Sequence, residues 1–287
     1  MQQVFLNLVN SDCSIVFNSS CCSGYLVVLS GRSSRCFFRV SILAIFFLTL
    51  NIKTAFQLHA GEIPADDDKA NVSHWEVWNS AGVTSNSVFG SAGIVLAPFD
   101  NIIDEGWRLR ATGGYGLYLY GGERLIRGRI RDVIFTGNVT LGDLMLGYQW
   151  RIDDLTLKAF AGAETVEHIV TPFDAGNAVQ GRRTGAKIAL EGWLNVGEGG
   201  WVSGNASASA AFATVQAEAR VGYRVWRGLG LGLEVGVYRN ETLGIGHAGA
   251  VASYVFGFGE VTVSGGISGD YESPGTPYAN ITLLKRF

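Results

Sequence analysis

The fold is decided by the stretch Thr214–Val225, which reads TVQAEARVGYRV. In an extended chain, successive side chains point to opposite faces. The first face would carry Thr214, Gln216, Glu218, Arg220, Gly222 and Arg224, and the second would carry Val215, Ala217, Ala219, Val221, Tyr223 and Val225. A helix would instead scatter the three charged residues around its axis. The alternation of polar and apolar positions therefore predicts a strand.

A second strand follows after a short break at Arg227-Gly228. One of its faces carries Leu229, Leu231, Leu233, Val235 and Val237, and the other carries Gly230, Gly232, Glu234, Gly236 and Tyr238. Two consecutive strands of about ten residues or more are long for a soluble sheet. A wholly apolar face opposite a polar one is typical of strands that cross a bilayer between lipid and a polar lumen.

Composition favours a membrane barrel over a helical membrane protein. The chain has 287 residues, 47% of them hydrophobic, and a mean hydropathy of +0.21, which is high for a soluble protein. Beyond residue 60, no run of about 18 apolar residues provides a spanning helix. Glycine is common and proline rare, at 39 and 5 residues, which suits curved strands that keep their backbone donors. The alternative, a Gly-rich soluble β-sandwich, would have more polar outer faces.

Segments of period two follow one another from Ser73 to Phe287. They predict one domain over residues 73–287, a closed antiparallel up-and-down transmembrane β-barrel of about 10–12 strands. Ile152-Asp153-Asp154 is predicted to turn a hairpin, and Gly121–Arg131 is interpreted as either a loop or a bulged strand start. Ile169–Arg182 is predicted to be the longest connection, and short and longer connections are expected to alternate.

Residues 1–60 are predicted to lie outside the barrel, as an N-terminal extension followed by a secretory signal. Arg32, Arg35 and Arg39 precede the apolar run Val40–Leu50. A charged segment followed by a short apolar core is the pattern of a secretory signal, and this core is too short to span a bilayer. A single N-terminal anchor helix is the alternative.

Processing is expected to remove this part of the chain. Cleavage after Ala55 or Ala60 would leave a solvated linker, residues 61–72, before the barrel, and we expect translation to begin near Arg32. All four cysteines, Cys13, Cys21, Cys22 and Cys36, would be lost with the leader. A mature chain without thiols suits an oxidising envelope compartment.

Charge and cysteine spacing argue against two kinds of partner. Without residues 1–60 the chain has 18 basic and 24 acidic residues, a net charge of −6. No basic tract remains, so we expect no nucleic-acid partner. The cysteine spacing fits no metal site, and we expect neither a metal nor another cofactor.

Ten charged residues fall on the polar faces of predicted strands and would point into the lumen. They are Arg108, Arg110, Lys158, Glu164, Lys187, Glu191, Glu218, Arg220, Arg224 and Glu234. Opposite charges in a narrow barrel would lie close enough to pair. They predict either a charge-lined conduit or a self-neutralising network that fills the lumen, and long side chains easily fill a barrel of this size.

Little in the sequence predicts catalysis. His74, His168 and His247 lie on separate elements, and Ser253 and Ser264 are candidate lumen hydroxyls. Barrel lipases and acyltransferases use Ser or His at the rim. Here the sequence has no G-x-S-x-G motif and no acidic residue at a useful spacing. We therefore expect no enzyme, and a barrel lipid-modifying enzyme is the remote alternative.

The last strand carries a pattern of its own. Ala279, Ile281 and Leu283 share a face with the terminal Phe287. A terminal aromatic residue on an amphipathic last strand resembles the signal that is read by the outer-membrane assembly machinery, although Lys285 stands on the same face. This pattern predicts the outer membrane as the location, with its lipid and its assembly machinery as partners.

Several short motifs together carry a family resemblance. They are Trp107–Tyr120 (WRLRATGGYGLYLY), Gly147–Trp150 (GYQW), Ala161–Trp193, Ala219–Arg224 (ARVGYR), Gly232–Glu234 (GLE) and the closing Arg286-Phe287. With them, most of Ser73–Phe287 resembles the cellulose biosynthesis protein BcsS family. The resemblance implies a secreted protein of Gram-negative alphaproteobacteria, encoded with cellulose synthase components. It transfers no catalytic residue.

The expected function is that of a non-enzymatic outer-membrane accessory of cellulose or exopolysaccharide biosynthesis or export. Its expected partners are cellulose and the components of cellulose synthesis and export, and a general small-solute porin is the alternative. Predicted glucan contacts are Asp174, Asn177, Arg182, Arg183, Trp193 and Trp201, in and after the connection Ile169–Arg183. The alternatives are a structural cap for the connection and an interfacial aromatic girdle for the two tryptophans.

Overall fold

The structure is a computed structural model that describes residues 15–18, 25–28, 73–257, 259–269 and 275–287. The chain divides into two units, Met1–Ala60 and Gly61–Phe287. In the first unit, β1 (Ile15–Asn18) and β2 (Tyr25–Val28) form an antiparallel pair. The predicted secretory signal, its cleavage sites, the start near Arg32, the cysteines and the linker lie outside the described residues.

The second unit is a closed barrel of twelve antiparallel strands. Its strands are β3 (Trp75–Thr84), β4 (Ser87–Leu96), β5 (Gly106–Ile126), β6 (Arg129–Ile152), β7 (Leu155–Thr171), β8 (Gly181–Val196), β9 (Gly200–Ser209), β10 (Thr214–Trp226), β11 (Leu229–Arg239), β12 (Gly244–Phe256), β13 (Gly259–Gly269) and β14 (Thr276–Arg286). Consecutive strands pair with one another, and β14 pairs with β3 to close the barrel. The predicted up-and-down barrel is confirmed, with a strand number at the upper end of the expected range.

The alternation predicted for Thr214–Val225 holds in the barrel wall. Val215, Val221 and Val225 are exposed on the outside, whereas Glu218 and Arg220 point into the lumen and lie 3.1 Å apart. A strand in a barrel wall sends every second side chain inward, so its apolar row must cover the exterior. None of the described residues belongs to a helix with the length and apolarity needed to cross a membrane.

The barrel has two rims with one long connection each. We name the proximal rim as the one where β3 begins and β14 ends, and the distal rim as the opposite one. The predicted longest connection, Ile169–Arg182, is shorter in the structure because β7 continues to Thr171 and β8 begins at Gly181. Its nine residues, 172–180, equal the nine residues of 97–105 at the proximal rim. The expected alternation of short and longer connections therefore fails at 97–105. From β7 to β12 it holds, because distal connections of nine, four and four residues alternate with proximal ones of three and two.

Among the described strands, β5 and β6 are the longest, with 21 and 24 residues. The last residue of β5 that pairs with β4 is Tyr118, and the first residue of β6 that pairs with β7 is Thr136. Beyond them the two strands pair only with each other, as far as the turn at Arg127-Gly128, where φ is 51° and 75°. We call Tyr120–Phe135 the projecting hairpin. Gly121–Arg131 is thus part of a regular hairpin, neither a loop nor a bulged strand start.

Apolar side chains fill parts of the lumen along its length. Buried clusters comprise Val166, Val179, Ala211 and Phe212 near the distal rim, Met145, Phe160 and Ala189 midway, and Val95, Ala97 and Ile102 near the proximal rim. Ala211 and Phe212 belong to a 3₁₀ turn, Ala211–Ala213, between β9 and β10. Both rims therefore contribute residues from their connections to the filling of the lumen.

Candidate functional site: the lumen and its distal mouth

Charged side chains form a chain of contacts that crosses the lumen. Lys158 on β7 lies 3.8 Å from Glu76 on β3 and 3.9 Å from Glu191 on β8. Glu191 accepts a hydrogen bond of 2.6 Å from Arg110 on β5, and Glu76 accepts one of 2.9 Å from Arg286 on β14. Three strands separate β3 from β7. The contact between Glu76 and Lys158 therefore runs across the barrel and not along its wall.

A second cluster holds two buried carboxylates together. Lys187 on β8 donates to Asp143 on β6 and to Glu164 on β7, at 2.6 Å each. Asp143 and Glu164 are direct cross-strand partners, so their charges would repel each other without the ammonium group between them. The two carboxyl side chains are 1% and 6% exposed. Lys187 is the group that compensates them, since buried charges need a partner.

A third cluster joins β10 and β11 to β14. Arg220 donates to Glu234, its cross-strand partner, at 2.9 Å. Glu234 also accepts a hydrogen bond of 2.7 Å from the hydroxyl of Tyr278. His247 on β12 lies 3.7 Å from Glu218. β12 and β13 lie between β11 and β14. The hydrogen bond from Tyr278 therefore connects the Arg220–Glu234 ion pair to a strand that is not its neighbour in the wall.

Two arginines of the predicted set use neutral acceptors. Arg108 is fully buried and donates to three carbonyl oxygens of the connection 97–105. Gln149 donates to two of the same oxygens, so β5 and β6 together hold this connection inside the proximal rim. Arg224 donates to Oδ1 of Asn195 at 3.1 Å.

All ten predicted charged residues lie on the lumen side, and eight of them form ion pairs with another charged group. The lumen charges therefore largely neutralise one another. Sequence reasoning missed three of their partners, Glu76, Asp143 and Tyr278, and it also missed Arg286, which pairs with Glu76. Each lies at an inward position of a predicted strand. The alternation of polar and apolar residues that predicted those strands could therefore have identified them.

The predicted glucan-contact connection folds against the inner wall at the distal rim. Tyr120 donates to Asp174 and accepts a hydrogen bond from Asn177, at 2.8 Å each. Asn177 also accepts a hydrogen bond from the backbone of Val179, which is buried in the distal apolar cluster. Gln180 donates to the backbone carbonyls of Asp174 and Asn177. The polar side chains of this connection are therefore engaged within the chain.

Arg182 and Arg183 lie at the start of β8, where both remain accessible. Arg182 pairs with Glu167 at 3.0 Å, and Arg183 pairs with Glu241 at 2.5 Å. The guanidinium of Arg183 also lies 4.5 Å above the ring of Phe212. Their side chains are 66% and 42% exposed. Of the predicted contacts near this connection, these two are open to a ligand at the distal rim.

Trp193 and Trp201 stack on each other inside the proximal end of the lumen, with ring centroids 5.1 Å apart and planes at 11°. From Gly181 to Trp193, β8 covers about 40 Å at the usual rise of a strand. The structure therefore does not bring the tryptophans together with residues 172–183. They are not an interfacial girdle either, because both rings lie on the lumen side, whereas the exposed outer aromatic residues near this rim include Trp75, Trp107, Trp150, Tyr223, Trp226 and Tyr254.

The sequence of the barrel matches one protein family. The family model for cellulose biosynthesis protein BcsS covers residues 77–287, which is the barrel except for the first residues of β3. This chain belongs to the BcsS family. The resemblance carried by the short motifs is thereby confirmed. No curated protein is significantly similar to the chain.

Solved structures that resemble this BcsS-family barrel include a transport unit, a porin and a channel. The transport unit of the autotransporter AIDA-I from Escherichia coli has a TM-score of 0.45 and 11% identity, over 78% of this chain and 93% of that one. The KdgM porin has a TM-score of 0.42 and 8% identity, over 74% and 99%. An outer membrane channel from Pseudomonas putida F1 has a TM-score of 0.42 and 13% identity, over 79% and 100%. Similarity at this level carries no inference about function.

The histidines of this BcsS-family barrel are held at three separate places. Nδ1 of His74 lies 2.9 Å from the carbonyl oxygen of Asp100, and Nδ1 of His168 lies 3.1 Å from the hydroxyl of Tyr118. His247 belongs to the third lumen cluster. Within the described part of the chain, no three His, Cys, Asp or Glu residues are grouped to hold a metal ion. The arrangement that the lumen does offer is mutual neutralisation of its own charges.

Proposed function

We propose that this barrel is a non-enzymatic accessory of cellulose biosynthesis that stands in the outer membrane and does not conduct glucan through its lumen. The observation that carries the proposal is the chain of contacts from Glu76 through Lys158 and Glu191 to Arg110. A glucan in transit would have to displace these groups. Displacing one partner would leave the other charge inside the lumen without compensation, which supports a closed lumen.

The exterior supports a membrane location. Leu144, Leu146, Ile188, Leu190 and Leu233 project from the wall and are more than half exposed, at 51–66%. A continuous apolar exterior is unfavourable in water and favourable in lipid. The outer aromatic residues near the proximal rim stand where Trp and Tyr mark the membrane interface. We infer that the predicted secretory signal leads to export and that the assembly machinery inserts the barrel.

Deletion of the gene tests the proposed function. We expect an in-frame deletion to lower cellulose output, measured by dye binding, while antibiotic uptake and lipid A stay as in the parent strain. Re-expression of the wild-type chain should restore cellulose. Normal cellulose with altered antibiotic uptake would instead identify a porin, and altered lipid A would identify a lipid-modifying enzyme.

Glucan contact near residues 172–183 and at the two tryptophans stays a prediction. Asp174 and Asn177 are the most informative positions because both hydrogen-bond Tyr120. The Asp174→Ala/Asn177→Ala double variant, purified in detergent, is titrated with cello-oligosaccharides and compared with the wild-type chain. A folded variant with unchanged glucan binding and unchanged cellular cellulose would show that the connection is only a structural cap.

A further inference from the structure

The projecting hairpin leaves two strand edges open. The last contact on the β4 side is between Leu119 and Asn86, where the backbone N–H of Leu119 donates to Asn86 at 2.8 Å. On the β7 side, pairing stops at Thr136 and Thr171. Beyond these residues, both strands continue to the turn with one neighbour each. Unpaired backbone donors and acceptors along such an edge form a template for another strand.

The two faces of the projecting hairpin differ in character. Tyr120 and Phe135 pair on the face that continues the lumen wall, and Arg124 and Arg131 pair on the same face four residues further along each strand. Leu125 and Ile130 pair on the opposite face, where they are 70% and 69% exposed. Ile134, 64% exposed, lies on this face as well. The hairpin thus presents arginines toward the barrel axis, and on its outer face it presents Leu125, Ile130 and Ile134 with the acidic pair Glu123 and Asp132 between them.

Like charges face each other across this hairpin. Arg124 is the direct cross-strand partner of Arg131, and Glu123 is the partner of Asp132. Like charges directly opposite each other destabilise the isolated hairpin. Charged side chains on an open strand edge also prevent aggregation, but for that purpose a basic residue opposite an acidic one would serve as well as two like charges. In the described part of the chain, no ion pair involves Arg124, Arg131 or the neighbouring Arg129, although all three are exposed.

We propose that the projecting hairpin docks an extended segment of a partner protein, with acidic side chains on one face and apolar side chains on the other. Such a segment would pair with an open edge by backbone hydrogen bonds. Its acidic face would neutralise Arg124 and Arg131, and its apolar face would cover Leu125 and Ile130. A lipid surface fits less well, because the arginines point away from the side of the wall that faces lipid. The proposal does not depend on the role in cellulose production.

The test uses the full barrel in detergent and a fluorescent peptide that alternates Val and Glu. We expect saturable binding, weakened about tenfold or more by Arg124→Glu/Arg131→Glu because like charges then oppose each other. The same variant should bind a Val/Lys peptide better than the wild-type chain does. Arg151→Glu/Arg227→Glu is the matched control, since it makes the same charge change at the proximal rim and should bind the Val/Glu peptide normally.

Two results would overturn the proposal. A Val/Glu peptide methylated at alternate backbone nitrogens cannot pair with a strand edge, so equal binding of this peptide would reduce the contact to charge attraction. Absence of Val/Glu peptide binding rejects the docking site, and if Arg124→Glu/Arg131→Glu also lowers association with phosphatidylglycerol vesicles, the surface is a lipid contact. Heat-modifiable gel mobility verifies that each variant is folded before it is compared.

Discussion

At the scale of single residues, the wall accepts a side chain at some glycines and not at others. A Cβ at Gly162 would fall on the carbonyl oxygen of Leu144 and within 2.7 Å of Cα of Met145. A Cβ at Gly113 would meet nothing within 4 Å. We expect Gly162→Ala to lower the free energy of unfolding by about 1–3 kcal/mol. Gly113→Ala should change it by no more than about 0.5 kcal/mol. Urea unfolding in detergent, followed by gel mobility, measures both, and equal midpoints would contradict the close approach.

Lys187 makes the sharpest prediction at this scale. Lys187→Met would leave Asp143 and Glu164 buried, adjacent and uncompensated. We expect it to lower the free energy of unfolding by about 3–5 kcal/mol. Arg182→Met is the control, because that arginine pairs with Glu167 at an exposed site, where an ion pair contributes about 0–1 kcal/mol.

A rescue distinguishes charge compensation at Lys187 from lost packing. In the Lys187→Met background, Asp143→Asn/Glu164→Gln removes the two charges and should recover most of the lost stability. Unfolding midpoints of the single and triple variants provide the comparison. If the triple variant is no more stable than Lys187→Met, the lysine acts by filling space.

At the scale of elements, Tyr120 connects β5 to the connection 172–180. Tyr120→Phe removes the hydrogen bonds to Asp174 and Asn177 but keeps the ring that stacks on Phe135. We expect faster amide hydrogen exchange in residues 172–180, with a cost of about 1–2 kcal/mol to the local structure. Tyr115→Phe, at an exposed position, should leave exchange in this connection unchanged. Unaltered exchange in Tyr120→Phe would show that apolar packing alone holds the connection.

The strands were largely predictable, because the alternation of polar and apolar residues identifies each strand without knowledge of the strands it pairs with. The exception was Gly121–Arg131, where adjacent glycines and dense charge resemble a loop, although the register pairs Arg124 with Arg131. The chemistry of the connection was less predictable. Asp174 and Asn177 are suited equally to a sugar and to a tyrosine, and their actual partner, Tyr120, lies 54 and 57 residues away in the chain.

At the scale of the whole molecule, contacts depend on closure of the barrel, which no local pattern encodes. Arg286 and Glu76, 210 residues apart, meet only because β14 pairs with β3. The sequence placed the ten charged residues inward but could not say which of them pair across the lumen. For the same reason it grouped Trp193 with the connection before β8, although the length of that strand separates them. Whether a side chain points inward follows from its odd or even position along the strand. Which side chains meet inside the lumen follows from the strand register and the curvature of the barrel.

Conductance tests the closed lumen most directly. Wild-type barrel is reconstituted in planar bilayers beside the variant Glu76→Ala/Arg110→Ala/Lys158→Ala/Glu191→Ala, which removes the contacts that cross the lumen. We predict no sustained conductance steps for the wild-type chain and clear steps for the folded variant. Steady wild-type conductance equal to that of the variant would contradict a closed barrel and identify an open conduit.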